Sequence, residues 1–463
     1  MNSYEEVAEL FLKMEKQEQL FKYKLDGIVI WELIRVAVFE ELEQKIYHFG
    51  AGHPNSKRTG ALKRLSGKVK ILELLCTKNA FFNKKNSKYL VFRHRRRINI
   101  EGKNIEVNTN YLEKIIKDLN SDNTEYIEKG IAFGNRNIVP DSQFLMVNPI
   151  KNFIGIYLYK FLNKVTKNYS ILNEINHIIY SYFEIHMDIT NLALQNLVWF
   201  KNMYKLCYKY FSLKKPEGIY IVCAYGEEGL IKAARDLKIT TYEIQHGIIT
   251  KYHFGYAFPE AEDVPYFPDK LIVYGDYWKT AAAYPIDEEN VMVLGNPYLE
   301  IQLKKYAEVL QEPFSILFIS SGKSGEDLSV LASEFADQAE NFTVYYKLHP
   351  SEYSVWKEIY PAINNKNRNN LIVIEDEINL YELFAKNRFI IGVNSTALFE
   401  SFAFSPNLIL LNTPGVQYIN NIIEKFNIPL INNVNELIST INNYPKTAEI
   451  KRDYFYKDIS SVI

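Results

Sequence analysis

Cysteine is scarce in this chain. Only Cys76, Cys207 and Cys223 occur among 463 residues. Three cannot all pair within one chain, and their spacing is not that of a metal site, so a reducing cytoplasm is the expected setting. An excess of either charge is also missing. Lys and Arg number 54 against 55 Asp and Glu, a formal net charge of -1, which excludes a general electrostatic pull toward nucleic acid. Long apolar runs are absent too. Stretches such as FLMVNPIKNFIGIYLYKFLNKV are broken by Pro, Lys and Asn, short of the ~20 apolar residues that a membrane span requires. The opening MNSYEEVAELFLKMEKQEQLFKYK is charged throughout, unlike a secretory signal. No internal repeat or low-complexity tract stands out. What the chain has in quantity is aromatic side chains, 34 Tyr and 28 Phe. Tyrosine-rich surfaces suit carbohydrate contact, although a base-composition bias of the gene produces the same excess.

The length exceeds what one hydrophobic core normally supports, so two domains are expected. Residues 4–18 and 28–47 carry apolar side chains at helical spacing, interrupted at Asp26-Gly27. A polar connection over 50–70 reads as an exposed linker, and KYLVFRH (88–94) as the first strand. From Phe144 to Phe211 the pattern predicts a long, mostly helical block. After Pro216 the period changes to short apolar strands separated by helices or short links: GIYIVCA, TTYEIQ, DKLIVYG and NVMVLG. GNPYLEIQL, from Gly295, looks like a hinge. Beyond it the pattern restarts with FSILFIS, FTVYYKL, NLIVIE, RFIIGV and NLILLN, each followed by a helical or turn segment. The expected fold is therefore α/β, two doubly wound parallel sheets facing a cleft, with added N-terminal and inserted helices. Residues 1–300 are expected to form the first domain, 301–431 the second, and 432–463 a helical tail packing back on the first.

In such folds ligands lie outside the carboxyl ends of the strands, so the polar residues there are the ones to read. YKLHPSEY places Lys347 and His349 at a strand end, with Pro350 as the expected first residue of a helix whose free amides could seat a phosphate. A surface turn that happens to contain a histidine is the plainer reading. In GVNSTALFE, Ser395 and Thr396 precede a helix, suited to capping or to phosphate contact. Glu400, one turn on, suits ribose hydroxyls or simply solvent. SSGKSGED supplies Ser321 and Gly322, which allow a diphosphate close approach to backbone amides. It is not a nucleoside-triphosphatase loop, because the first glycine of that pattern is Leu317 here.

In the first half, AYGEEGLIKAA sets Glu227 and Glu228 between a strand and its helix. The helix dipole favours acids there, yet a carboxylate at a cleft mouth can also take a proton from an acceptor hydroxyl. EIQHG puts His246 at the next strand end with Gly247 behind it, able to do the same or to orient the acceptor. His253 is a weaker candidate. His48, His53, His94, His177 and His186 are expected at the surface or in packing. Arg95, Arg96 and Arg97 read as an exposed strand end, and Glu375-Asp376-Glu377 lacks companions for a metal site. No metal ligand set is expected.

Taken in order, EIQHG (243–247), PDKLIVYG (268–275), GNP (295–297), KLHP (347–350) and NSTALFE (394–400) resemble the two-Rossmann glycosyltransferases of the GT-B fold. More narrowly, the chain is similar to bacterial capsular polysaccharide transferases, with elements like those of sialyltransferases, polysialyltransferases and teichoic-acid glycerophosphotransferases. The resemblance covers roughly 215–410. It implies a metal-independent, inverting transfer of a sugar from a nucleotide-activated donor (CMP-, CDP- or UDP-linked) to a hydroxyl of an oligosaccharide or lipid-linked glycan acceptor. No other cofactor is implied. Glu227-Glu228-Gly229 would then supply the base, His349 would assist the leaving phosphate, and Ser395 and Thr396 would bind it. Asn-Ser-Thr stands where some relatives carry paired serines, so donor identity does not carry over. Capsule-assembly proteins at the inner membrane are the implied partners, with a cytoplasmic or peripheral location. Three other readings share this layout: a CDP-glycerol-type glycerophosphotransferase, a non-catalytic nucleotide-sugar-binding protein, and a nucleotide-sugar epimerase.

Overall fold

The computed structural model describes residues 4–47, 78–94, 97–100, 103–131, 141–147, 151–152, 154–158, 170–259, 263–322, 324–364, 368–375, 379–404, 406–445 and 452–463. The 50–70 linker, Cys76, His48, His53, Arg95, Arg96, Lys323, Asp376 and Glu377 lie outside them. Among the described residues no helix is long and apolar enough to cross a membrane.

The chain opens with helix Tyr4–Gln17, which buries Val7, Ala8, Phe11 and Met14 along one stripe, the spacing of a core-facing helix. A small hairpin follows, β1 (Lys24–Leu25) and β2 (Ile28–Val29). Its two turn residues, Asp26 and Gly27, both have positive φ, 53° and 76°, as a tight two-residue turn requires. Helix Ile30–Tyr47 comes next. Buried Arg35 on this helix bonds to Glu15 at 2.7 Å through both Nε and Nη2. Its Nη1 donates to the carbonyls of Phe254 (2.5 Å) and Ala257 (3.0 Å). The N-terminal helices thereby fix the loop that follows EIQHG. A charge buried this deeply is tolerated only when so fully bonded.

The first large sheet contains β3 (Tyr89–Phe92), β6 (Thr124–Ile131), β7 (Ser142–Val147), β8 (Gly218–Val222), β9 (Thr240–Ile244), β10 (Lys270–Val273) and β11 (Val291–Val293). A separate hairpin, β4 (Arg97–Ile100) with β5 (Lys103–Glu106), lies between β3 and β6 in the chain. The sheet order is β11-β10-β9-β8-β3-β6-β7, parallel at every pairing. The second sheet contains β12 (Glu312–Ile319), β13 (Thr343–Lys347), β14 (Leu371–Ile374), β15 (Asn387–Gly392), β16 (Asn407–Leu411) and β17 (Leu430–Ile431). Its order is β14-β13-β12-β15-β16-β17, again parallel throughout. Two doubly wound parallel sheets with flanking helices are the GT-B-type α/β fold expected from the sequence. Strand order reverses between β3 and β8 in one sheet and between β12 and β15 in the other. Those two crevices are where this architecture binds ligands.

Two expectations fail locally. Phe144 does not open a helical block. It lies inside β7, where Ser142, Phe144, Leu145 and Val147 are buried against the sheet; helix begins only beyond it, at 151–152 and 154–158, and then as Ser170–Phe183 and Thr190–Lys214. Pairing with β6 decides this, and no local periodicity announces it. Pro350 does not open a helix either. It starts a run of turns, and the helix Trp356–Ile359 is a single turn further on.

At the C-terminal end, helix Val434–Asn442 packs on the long helix Gly325–Gln338 of the second unit, whereas residues 452–463 reach the first. Trp278 Nε1 donates to the Phe455 carbonyl at 2.7 Å and the Lys457 amide donates to the Tyr274 carbonyl at 2.8 Å. A Cβ on Gly275 would stand 2.4 Å from the Phe455 carbonyl carbon, so only glycine admits this segment. The fully buried Phe455 ring also stacks on Phe402, centroids 5.0 Å apart, and meets Phe399 at 5.6 Å. One phenyl ring thus joins both units.

Candidate active site at the strand ends

The crevice of the second sheet is framed by the loops after β12, β13 and β15. After β12 come Ser320, Ser321 and Gly322, the last at φ +81°. At the end of β13, Lys347 is buried and its Nζ donates to Tyr353 Oη at 2.6 Å. His349 is exposed, with Nδ1 2.7 Å from Ser351 Oγ. Its backbone N–H donates to Glu352 Oε2 at 2.7 Å. Glu352, 3% exposed, accepts in addition from Ser320 Oγ and Tyr360 Oη, each at 2.7 Å. This carboxylate, which sequence reasoning passed over, ties the Ser320–Gly322 loop to the His349-Pro350 turn. HPSE carries the signal: an acid three residues after His349, within reach of its amide. The helix-end amides expected behind Pro350 are replaced by this internally bonded turn.

After β15, Ser395 caps helix Thr396–Ser401 by accepting from the Leu398 amide at 3.3 Å. Thr396 begins the helix and faces the first unit. A Cβ placed on Gly247 would lie 3.3 Å from Thr396 Oγ1, so two loops picked out separately in the sequence meet across the gap. Glu400 is not part of that meeting. It is buried and accepts from Tyr381 Oη at 2.9 Å, turned toward helix Leu380–Lys386.

The crevice of the first sheet holds a cleft of about 400 Å³ at the β3/β8 switch point. Phe92 to His94, Lys129, Val222, Tyr225 and Glu227 are among the residues that line it. Glu227 forms an ion pair with Lys129, and its Oε2 is buried with no hydrogen-bond partner among the described residues. Glu228 does not line the cleft. Its carboxylate accepts from the Gly226 amide at 2.8 Å, and burial pushes its pKa up to about 7. Gly229 has a packing reason. A Cβ there would come 2.5 Å from the Phe200 carbonyl, so glycine lets helix Glu228–Asp236 press against helix Thr190–Lys214. The acidic pair is set by that contact.

His246 is held by its loop. Gln245, fully buried, donates from Nε2 to the Gly247 carbonyl at 2.9 Å and accepts from the Tyr274 amide at 2.9 Å. Its side chain therefore closes the turn behind the imidazole. His246 Nε2 lies 3.3 Å from Tyr225 Oη and Nδ1 3.4 Å from Tyr256 Oη. His94, expected at the surface or in packing, instead lines the cleft with its ring centroid 5.7 Å from that of His246. His253 stands behind Tyr225, centroids 5.4 Å apart, and burial pushes its pKa down to about 4. The glutamate of EIQHG was also missed as chemistry. Glu243 is fully buried, accepts from Tyr256 Oη at 2.5 Å and from the Ala224 amide at 3.0 Å, and burial pushes its pKa up to about 7. The arrangement combines a carboxylate and two imidazoles at one crevice with a lysine, a histidine and hydroxyls at the other.

Residues 334–408 match the family model for alpha-2,8-polysialyltransferases. The match spans Lys347, His349, Pro350, Ser395, Thr396 and Glu400, and it carries the glycosyltransferase class expected from the sequence. Among solved structures, the chain is similar to the UDP-GlcNAc 2-epimerase of Methanocaldococcus jannaschii at 12% identity, over 81% of this chain and 96% of that one, with a TM-score of 0.46. The UDP-GlcNAc 2-epimerase of Neisseria meningitidis bound to UDP-GlcNAc gives 15% identity over 81% and 96%, with a TM-score of 0.47. The wall teichoic acid polymerase TagF gives 12% over 83% and 89%, with a TM-score of 0.43. No curated protein sequence matches the chain.

Proposed function

We propose that the protein transfers a sugar from a nucleotide-activated donor to a hydroxyl of a surface or capsular polysaccharide, with inversion and without a metal ion. Residues 1–300 form the acceptor side and 301–431 the donor side. The observation that carries this reading is the meeting of the loop after β9 with the loop after β15, at Gly247 and Thr396, which brings the acidic side of one sheet beside the polysialyltransferase-like segment of the other.

On the donor side, Lys347, His349 and the Ser395 and Thr396 hydroxyls neutralise the departing nucleotide phosphate. Ser321 and Gly322 border it from β12. Donors held in place before reaction stabilise such charge without reorganisation. The Ser351 contact orients the His349 ring to give a hydrogen bond or a proton to the leaving group. On the acceptor side Glu227 is the base, because it faces the cleft while Glu228 is turned inward to the Gly226 amide. Glu227 removes the acceptor proton as the sugar carbon forms its new bond and the nucleotide oxygen departs. His246 orients the acceptor hydroxyl. The setting is cytoplasmic, peripheral to the inner face of the cell membrane, alongside capsule-assembly proteins.

A second reading, transfer of glycerol phosphate from a CDP-linked donor, is favoured by the two tyrosine hydroxyls around His246, which suit that imidazole to act as base. A thermal-shift series with CMP, CDP, UDP and GDP tests both readings. A ligand that binds only the folded state raises Tm, and one base should stand out. No shift with any of the four defeats both. Turnover with the cognate donor should survive a chelator, and loss of turnover restored by a divalent ion would oppose the metal-free mechanism.

A further inference from the structure

The chemistry proposed so far leaves Glu243 unused, although burying a carboxyl group this completely is costly. It sits at the end of β9, 0% exposed, with Oε2 lacking any hydrogen-bond partner among the described residues. Its Oε1 receives the Tyr256 hydroxyl at 2.5 Å and the Ala224 amide at 3.0 Å. Tyr256 has one proton to give. With that proton committed to Glu243, its oxygen faces His246 Nδ1 at 3.4 Å as an acceptor. Tyr225 Oη approaches the other nitrogen at 3.3 Å. Tyr225 reaches that position because residue 255 is glycine: a Cβ there would stand 2.4 Å from the Tyr225 ring.

We propose that Glu243 is a positioning residue that acts on His246 through Tyr256, holding the proton on Nδ1, presenting the Nε2 lone pair toward Tyr225 and the acceptor, and stabilising the imidazolium. The proposal rests on the functional reading above for the use to which His246 is put, but not for the relay itself. The relay is a hydrogen-bond chain, carboxylate to phenol to imidazole. When Nε2 takes a proton from a hydroxyl, the imidazole becomes cationic, Nδ1–H donates to Tyr256 Oη, and the Tyr256 hydroxyl stays bonded to the carboxylate. No proton need leave Nδ1. Once Glu243 is ionised, above about pH 7, a buried negative charge one side chain away offsets the new positive charge more strongly than in water. The groups facing this chain are Tyr225 and Cys223 from the loop after β8, His253 from the loop after β9, Tyr284 from the loop after β10, His94 from the end of β3 and Glu40 of helix Ile30–Tyr47. Of these, His94 and His253 are the imidazoles whose own titrations must be followed alongside.

The test is a nitrogen-15 NMR titration of the labelled histidines in the full chain, with His246 assigned from an H246N variant. In the wild type His246 should titrate from the Nδ1–H tautomer. Tyr256→Phe keeps the ring's packing and removes the link; it should lower the His246 pKa by about one unit, a tenfold change in proton affinity, and shift neutral His246 toward the Nε2–H tautomer. Glu243→Gln should lower the pKa at least as far. An unchanged His246 pKa and tautomer in Tyr256→Phe overturn the proposal, whatever Glu243→Gln does. If Glu243→Gln fails to fold, the tyrosine variant still decides. The transfer reading fails on separate grounds, through nucleotide binding or retained turnover in Glu227→Gln, and neither result alters the titration.

Discussion

The two crevices solve different problems with similar residue types. At the second sheet, the polar residues are tied into their own loops. Glu352 takes three hydrogen bonds, Ser395 caps its helix, and Lys347 is bonded to Tyr353. At the first sheet, the fully buried Glu243 and the half-buried, Lys129-paired Glu227 each leave Oε2 without a hydrogen-bond partner among the described residues. A loop closed by its own bonds is a rigid seat for a ligand that supplies charge. A buried carboxyl with a raised pKa, as at Glu243, is the condition in which proton transfer near neutral pH is efficient. On the reading proposed above, the contrast is that between a binding side and a proton-handling side.

The largest expected effect would break this contrast most directly. Glu227→Gln should lower kcat by about 10²- to 10⁴-fold, the range for losing a general base, with donor Kd and Tm little changed. Near-normal turnover would take Glu227 out of the proton-handling side and leave His246 as the base of the second reading. Glu352→Ala should do the reverse at the other crevice, destabilising the fold by about 3 kcal/mol through stranded donors and weakening nucleotide binding. Urea unfolding and a nucleotide titration read both. A smaller Phe455→Val change tests whether the two crevices are held together by the C-terminal segment. It should cost about 1–3 kcal/mol, and a loss confined to Tm with intact nucleotide binding would show that the second crevice forms without that joint.

Acidity sharpens the comparison further. Burial raises Glu228 and Glu243 in the folded state to about 7, while the unfolded chain ionises them near the ordinary carboxylate value. These groups therefore favour folding below the unfolded pKa, and that contribution is lost as pH rises through about 7, up to about 3 kcal/mol for each. Glu243→Gln should flatten the stability profile between about pH 4.5 and 7, followed by denaturant midpoints across that window. The smallest effect is expected at the contact between crevices. Gly247→Ala brings a methyl to within 3.3 Å of Thr396 Oγ1, and a shift of a few tenths of an ångström relieves it. Tm should move little, and a large loss of turnover with unchanged Tm would mean that the loops must close further on each other during the reaction.

Much of the second crevice was legible because its residues follow one another closely: Lys347 and His349 end a strand, and Ser395 and Thr396 start a helix. What escaped there was the partner, Glu352, and the turn after Pro350, since a proline after a strand is as good at starting turns as helices. At the first crevice, Glu227, Glu228 and His246 were visible as strand-end residues. Their neighbours were not. His94 and Lys129 reach the cleft from strands more than 90 residues upstream of Glu227. Phe144 was misassigned because β7 is specified by its neighbour β6.

The sequence alone determined the α/β class, the restart of the strand pattern after Gly295, and the polar residues that end the strands, because apolar periodicity and turn chemistry are local. Only the tertiary structure decided which strands adjoin, and hence where the order reverses. It also turned Glu228 and Glu400 inward while leaving Glu227 on the cleft. Burial and partnership depend on chain segments hundreds of residues apart, such as Arg35 clamping the 254–257 loop. No local pattern encodes that distance.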